Sequence, residues 1–344
     1  MKILVIKTSS LGDVIHCFPA VSVLSSLNPD AEIHWLVNNA FKELVSLHPA
    51  VVKVIPFERE KLGHPFNFLG EFLKLCKLLR SERYDIAIDF QGLLRNSLFA
   101  YLSSANNVAG FKSPAEKISQ FFYDLKIDTS DYEHALEKNC ALASRIFGEE
   151  VFIPDFEGIK NKEKSESVKT LLCSFNINPE LKYLIVAPCG RWESKNWPVS
   201  FFVSVLKKVC KGKTNLPVIF VGSDKDKKVC DQICNELNGN CFNFAGKTDL
   251  IELLELIRGA KLMFCVDSGP MHMAAALSIP VCALFGPTDP LKTGPYGKIH
   301  KVFQSGTCIK CLRRYCSRSS ETCHSSINYE EVAEFIINKL EGQK

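Results

Sequence analysis

The chain has 344 residues, 46% of them hydrophobic and 23% charged, with a formal net charge of +4. That composition excludes a disordered or fibrous chain, and no apolar run approaches the roughly 18–20 residues a membrane span needs. The mild basic excess admits an acidic ligand or an anionic surface without demanding nucleic acid, and the length suits two domains of ordinary size. Of the fifteen cysteines, Cys17, Cys76, Cys140, Cys173, Cys210, Cys265 and Cys282 sit singly inside apolar segments, where Cys behaves as a small hydrophobe. The opening MKILVI is too short for an export signal, so reduced thiols in a cytoplasm are expected rather than a disulfide framework.

Residues 3–6 read as a buried first strand, followed by the loop Lys7-Thr8-Ser9-Ser10-Leu11-Gly12-Asp13. A helix follows, with an apolar stripe of Val14, Ile15, Phe18, Val21, Val23, Leu24 and Leu27. In an open α/β sheet this loop lies at the carboxyl edge, where ligands bind. Asp13, at the helix start, has two readings, an N-cap and a general base. The βα alternation continues with a strand at 33–37, a helix at 41–47, a strand at 51–55, a helix at 66–80 and a strand at 86–90 ending in Gln91-Gly92. Arg95 falls on the next helix, and Lys112 and Lys117 are further basic candidates; each, taken singly, also reads as a solvated surface charge. A helix spans about 133–147. The composition then shifts at 149–167, where Pro154, Gly158 and a run of charges mark a linker.

The second half opens with a strand at 183–187 and the stretch Pro188-Cys189-Gly190-Arg191-Trp192-Glu193-Ser194-Lys195-Asn196-Trp197-Pro198. Pro198 starts a helix, which leaves Lys195 in a strand-to-helix loop. A strand at 218–221 ends in Gly222-Ser223-Asp224. An acidic residue there commonly accepts from ribose hydroxyls, although the nearby lysines also allow a surface ion pair. Residues 265–290, CVDSGPMHMAAALSIPVCALFGPTDP, read as a strand, a turn, a short helix and a second strand of a parallel sheet. The helix start offers free N–H groups and a positive dipole end to a diphosphate. Gly269 permits close approach, Ser268 adds a hydroxyl, Pro270 suits the first turn, and His272 lies one turn in. The plainer reading is an ordinary crossover with an Asp-Ser cap. Near the end, Cys308, Cys311, Cys316 and Cys323 form one CxxC and two wider thiols. That spacing admits a structural zinc, but reduced thiols are the first reading.

Four segments, KTSSLGDVIHCFPA, YDIAIDFQGLLRNSL, the K-x-W-P at Lys195 and DSGPMHMAAAL with FGPTDP, occur in the order and spacing of glycosyltransferase family 9. The chain resembles these ADP-heptose:lipopolysaccharide heptosyltransferases over nearly its whole length, and no one segment would be specific alone. The resemblance implies an α/β GT-B fold, two Rossmann-like βαβ domains facing each other across a cleft. Residues 1–160 would bind acceptor, 161–327 would bind donor, and a helix in 328–344 would pack back on the first domain. The implied reaction is inverting transfer of heptose from ADP-heptose to the lipopolysaccharide inner core, either Kdo-lipid A or heptosyl-Kdo-lipid A. Asp13 would be the base and Lys195 the donor-phosphate lysine. Ser9, Ser10, Gly12, Gln91, Arg95 and Lys112 would serve the acceptor. Cys189, Gly190, Asp224, Asp267, Ser268, Gly269, Pro270, Met271 and His272 would surround the donor. Many members carry hydroxyl residues where this chain has Cys189-Gly190, and a backbone N–H there could replace that contact.

No metal or other cofactor is required by this scheme, since ADP-sugar is the donor substrate and Lys195 meets the leaving charge. The expected protein is a monomer without nucleic-acid partners, peripheral at the cytoplasmic face of the inner membrane because its acceptor is anchored there. Two other readings stay open: transfer of another nucleotide-activated sugar, and a nucleotide-dependent oxidoreductase or non-catalytic nucleotide-binding module. Against an oxidoreductase, the first βα turn offers only Gly12 in place of G-x-G-x-x-G.

Overall fold

The apolar strands assemble into two parallel sheets, one in each of two units, Met1–Ile159 and Lys160–Lys344. The computed structural model describes residues 1–58, 65–156, 159–212, 216–237, 239–306, 310–316 and 326–342.

In the first unit the strands are β1 (Lys2–Ile6), β2 (Glu32–Asn38), β3 (Val51–Phe57), β4 (Ile86–Asp89), β5 (Asn107–Phe111) and β6 (Leu125–Ile127), in the order β3-β2-β1-β4-β5-β6. β1 is central. Ile3 pairs with both Ile33 and Ile86, and Ile3, Leu4, Val5 and Ile6 are fully buried, which explains the unbroken apolar run. The helices are α1 (Leu11–Ile15), α2 (Phe18–Leu27), α3 (Lys42–Ser46), α4 (Pro65–Ser81), α5 (Leu94–Leu102) and α6 (Ala135–Arg145). The single helix read after the first loop is two, broken at His16-Cys17. Pro19 lies in the first turn of α2, where its missing N–H costs nothing; further inside a continuous helix it would break the ladder. Phe18, Trp35, Tyr84, Phe57, Phe90 and Phe99 are the large side chains of this core.

The second unit contains α7 (Lys162–Ser174), β7 (Leu184–Ala187), α8 (Val199–Lys211), β8 (Val218–Phe220), α9 (Lys227–Glu236), β9 (Cys241–Asn243) and α10 (Leu250–Gly259). It continues with β10 (Leu262–Val266), α11 (Gly269–Ala276), β11 (Val281–Phe285), α12 (Pro290–Thr293), β12 (Lys301–Gln304) and α13 (Tyr329–Glu341). The order β12-β11-β10-β7-β8-β9 is the first unit's order again, counted from β7. Strand order therefore reverses between β1 and β4 in one unit and between β7 and β10 in the other. Open α/β sheets bind ligands beyond the carboxyl ends of such strand pairs.

The closing helix departs from expectation. Val332, Ala333, Ile336 and Leu340 of α13 are buried in the second unit's own core, where the helix packs on α8. Phe335 meets Phe303 at 6.1 Å, and the Lys261 ammonium donates to the Leu340 carbonyl at 2.5 Å. The stripe that was expected to cover the first unit completes the second.

Candidate active site

At the first unit's switch point, β1 runs into Lys7 and Thr8, both buried. The Lys7 ammonium donates to the Phe90 carbonyl at 2.7 Å and so ties the end of β1 to the end of β4. Thr8 Oγ1 accepts from Asn96 Nδ2 at 3.2 Å and from Arg95 Nη2 at 3.4 Å, and the Arg95 guanidinium lies 4.8 Å over the Phe57 ring. Arg95 thus anchors the loop as well as lending it charge. The Ser9 N–H donates to Gln91 Oε1 at 3.3 Å. Asp13 is not the N-cap. Ser10 caps α1, and Asp13, three residues on, reaches back so that one carboxylate oxygen accepts from the Ser10 N–H and hydroxyl, both at 2.8 Å. Those bonds hold the half-buried carboxylate still. Its other oxygen has no partner among the described residues.

Asp89, which the sequence reading passed over, closes this edge. It is fully buried and accepts from the Gln91 and Gly92 N–H groups at 2.8 and 3.1 Å and from the Tyr123 hydroxyl at 2.6 Å. Burial pushes its pKa up against those bonds, and the turn it shapes aims Gln91. The signal was an Asp at the end of an apolar strand, directly before Phe-Gln-Gly.

A cavity of about 440 Å³ opens here, lined by Lys7, Gln91, Ser113, Thr129, Ser130, Lys138 and Asn139 among others. Neither Lys7 nor Lys138 has an ion-pair partner among the described residues. Asn139 is held by its Nδ2 donating to the His16 carbonyl at 3.0 Å. Ser9, Ser10, Gly12, Gln91 and Arg95 gather at this edge. Lys112 is exposed and pairs at 2.9 Å with Asp128, a residue of the cavity lining, between the lining residues Phe111 and Ser113.

In the second unit Trp197 explains the K-x-W-P stretch. Its buried ring meets Phe202 at 5.4 Å and Phe264 at 6.3 Å, and Pro198 caps α8, so the loop before them is fixed at the β7 edge. Lys195 then reaches Asp267, at the end of β10, with 2.7 Å between Nζ and Oδ2. The Thr288 hydroxyl, which the sequence reading did not single out, donates to the same oxygen at 2.6 Å. A Cβ on Gly190 would lie 3.0 Å from Lys195 Cβ and 3.1 Å from the Asp267 carbonyl, so a side chain there would crowd the pair. The Gly190 N–H donates to Asn196 Oδ1 at 2.7 Å, which ties the loop to itself. The Cys189 thiol is pushed up to about 12 by burial and the neighbouring Asp226 carboxylate, so it stays a neutral S–H.

Ser268 caps α11 with extended backbone, and its buried hydroxyl has no hydrogen-bond partner among the described residues. Gly269 and Pro270 open the helix beside it, and His272 lies buried one turn in. The Met271 side chain is fully buried in the core, which leaves its backbone at the helix start. Asp224 is exposed, and Gly246, at φ +74°, lies so close beneath it that an added Cβ would fall 2.0 Å from its carboxylate oxygen. Only a residue without a side chain fits that approach.

The described part of the cysteine segment braces these loops. The Ser194 hydroxyl donates to the Arg313 carbonyl at 2.6 Å, the Leu312 N–H to the Pro287 carbonyl at 3.0 Å, and Lys310 pairs with Asp289 at 2.8 Å. Of the four thiols considered for zinc, Cys308 and Cys323 lie outside the described residues. Among the described residues no group of three or more His, Cys, Asp or Glu side chains gathers as a metal site.

The family profile described as glycosyltransferase family 9 (heptosyltransferase) matches residues 72–321. Lipopolysaccharide heptosyltransferase 1 of Pseudomonas aeruginosa is 27% identical, over 97% of this chain and 96% of its own length. Lipooligosaccharide heptosyltransferase 2 of Haemophilus influenzae is 30% identical, over 86% of each chain. Among solved structures, E. coli heptosyltransferase WaaC with ADP superposes with a TM-score of 0.79 at 22% identity, covering 98% of this chain and 100% of that one.

Proposed function

The chain belongs to glycosyltransferase family 9 and is a glycosyltransferase of GT-B fold; from that premise we propose that it transfers heptose, with inversion, from ADP-heptose to the lipopolysaccharide inner core. The acceptor would be Kdo-lipid A or heptosyl-Kdo-lipid A, and Lys7 and Lys138 would face its acidic groups. The observation that carries the donor half is the constellation at β7/β10: Lys195 held on Asp267, the Ser268 hydroxyl, unpartnered among the described residues, and the start of α11. An arriving diphosphate competes with Asp267 for the Lys195 ammonium. It gains the Ser268 hydroxyl and the free N–H groups of the helix start. Asp224 accepts from the ribose.

In the reaction Asp13, steadied by Ser10, takes the acceptor hydroxyl proton as that oxygen attacks the anomeric carbon. The bond from that carbon to the diphosphate breaks from the opposite face. Negative charge collects on the departing ADP, where Lys195 and the helix dipole are already oriented toward it. Preorganised donors of this kind usually contribute a large share of catalysis. Lys195 is the cation for this step, so no metal is invoked. The enzyme works as a monomer beside the inner membrane.

ADP release from ADP-heptose, with and without Kdo-lipid A, tests the reading. Release should depend on acceptor and fall about 10²–10⁴-fold in Asp13→Ala, with ADP-heptose still bound. Near-wild-type turnover in Asp13→Ala would remove Asp13 as the base.

A further inference from the structure

Helix α5 is apolar on two sides. Phe99 and Ala100 are buried against the sheet, while Leu94, Leu98 and Tyr101, at i, i+4 and i+7, make a second stripe; Leu94 and Tyr101 are exposed and Leu98 half-buried. Beside α5 lies the 3₁₀ turn Lys117–Phe122, its Phe122 ring 5.8 Å from Tyr101. Side chains at i and i+3 eclipse in such a turn, so Ile118 and Phe121 stand in line, and Phe121 is 78% exposed. On the other flank, α4 is tied to the end of α5 by Arg80 Nε donating to the Leu102 carbonyl at 3.0 Å. Leu73, Lys77 and Arg80 share that face of α4, and all three are exposed.

Single exposed apolar residues need no explanation, but a run of them across three neighbouring segments does. Charge says what covers it. Lys77, Lys117 and Lys126 stand exposed around the patch, with no ion-pair partner among the described residues. The acidic neighbours are engaged in the fold: Glu116 accepts from the Leu94 N–H at 2.7 Å, Asp124 from the Val108 N–H at 2.9 Å, and Asp128 pairs with Lys112. Two copies joined through this face would bring lysines toward lysines. A surface of lipid phosphates satisfies them while the aromatic and aliphatic groups enter the headgroup layer.

We propose that this face of the first unit docks on an anionic lipid bilayer, with Tyr101, Ile118 and Phe121 inserted and Lys77, Lys117 and Lys126 against lipid phosphates. The proposal deepens the reading of a lipid-linked acceptor and rests on it. Docking concentrates the enzyme where the acceptor is embedded, so it acts on KM for membrane-held acceptor and leaves turnover on a soluble one alone.

Full-length protein is sedimented with vesicles of phosphatidylethanolamine and phosphatidylglycerol, and with phosphatidylcholine vesicles as the neutral control. Wild type should prefer the anionic vesicles. Ile118→Ser/Phe121→Ser should weaken binding at least about ten-fold, and Lys77→Glu/Lys126→Glu should abolish the anionic preference. Both variants should keep wild-type ADP release with an acceptor stripped of acyl chains. Wild-type sedimentation of Ile118→Ser/Phe121→Ser would overturn the proposal, as would an oligomer in the wild type that this variant dissolves. Failure of the transferase reading looks different: no acceptor elicits ADP release from any of the proteins, whatever the vesicles show.

Discussion

Removing Lys195 perturbs stability and chemistry at once, and the geometry predicts each separately. Lys195→Ala leaves the Asp267 carboxylate, 5% exposed, with only the Thr288 hydroxyl as a side-chain partner among the described residues. Breaking a buried ion pair from one side costs about 3–5 kcal/mol; because the Lys195 side chain is 16% exposed, about 2–3 kcal/mol is expected here. In activity, losing a preorganised cation at the leaving group should cost about 10²–10³-fold in kcat. Asp267→Asn in the same chain removes the stranded charge while keeping the shape and an acceptor for Thr288. Lys195→Ala/Asp267→Asn should therefore regain most of the denaturation midpoint and none of the turnover. Urea denaturation of the intact protein and ADP release from saturating ADP-heptose read the two effects. If the double variant regained turnover along with stability, Lys195 would be a structural residue, and the charge on the departing diphosphate would have to be met elsewhere.

Gly246→Ala forces a side chain into the left-handed region and against Asp224, so it should cost about 1–2 kcal/mol of stability. By displacing that carboxylate it should also weaken ADP binding about ten-fold by calorimetry, and Asp224→Ala added to it should weaken binding no further; unchanged ADP affinity would move Asp224 away from the ribose. His48 gives a pH dependence. Its Nδ1 accepts from the Ala50 N–H at 3.2 Å, its Nε2 faces the Phe18 carbonyl at 3.2 Å, and burial lowers its pKa to about 4. The folded value lies below the ordinary one near 6.5, so the stability it contributes is full above that pH and is lost as pH falls toward 4. The loss amounts to about 3 kcal/mol, and urea midpoints between pH 7 and pH 4.5 should fall less in His48→Gln than in wild type.

The central strands were legible because they are buried on both faces. Residues 3–6, 86–90 and 281–285 show no polar alternation to confuse with a surface strand, and their ends fell within a residue or so of the observed ones. The edges were not legible. β6 is three residues with two exposed, and β9 is three half-buried residues; pairing, not composition, makes them strands. The site followed the same divide. Loops after buried strands, with the family motifs they carry, made Asp13, Lys195 and Asp267 candidates, because topology decides where such loops emerge. What each side chain contacts depends on the other loops. That is why the Ser10 cap, the Thr288 hydrogen bond and the committed Gly190 N–H had no local signal. α13 shows the limit on the scale of an element. Its apolar stripe was plain, but a stripe does not say which core it completes.

The repeated strand order has an evolutionary consequence. In each unit the notch beyond the carboxyl ends comes from the path of the backbone, where consecutive crossovers depart to opposite faces of the sheet. Packing on both faces constrains Ile3–Ile6 and Leu262–Val266, whereas the loops leaving them answer to one another and to the molecules they meet. Selection can therefore rewrite the loops of one unit while those of the other stay put. One gene carries two recognition surfaces free to drift at different speeds.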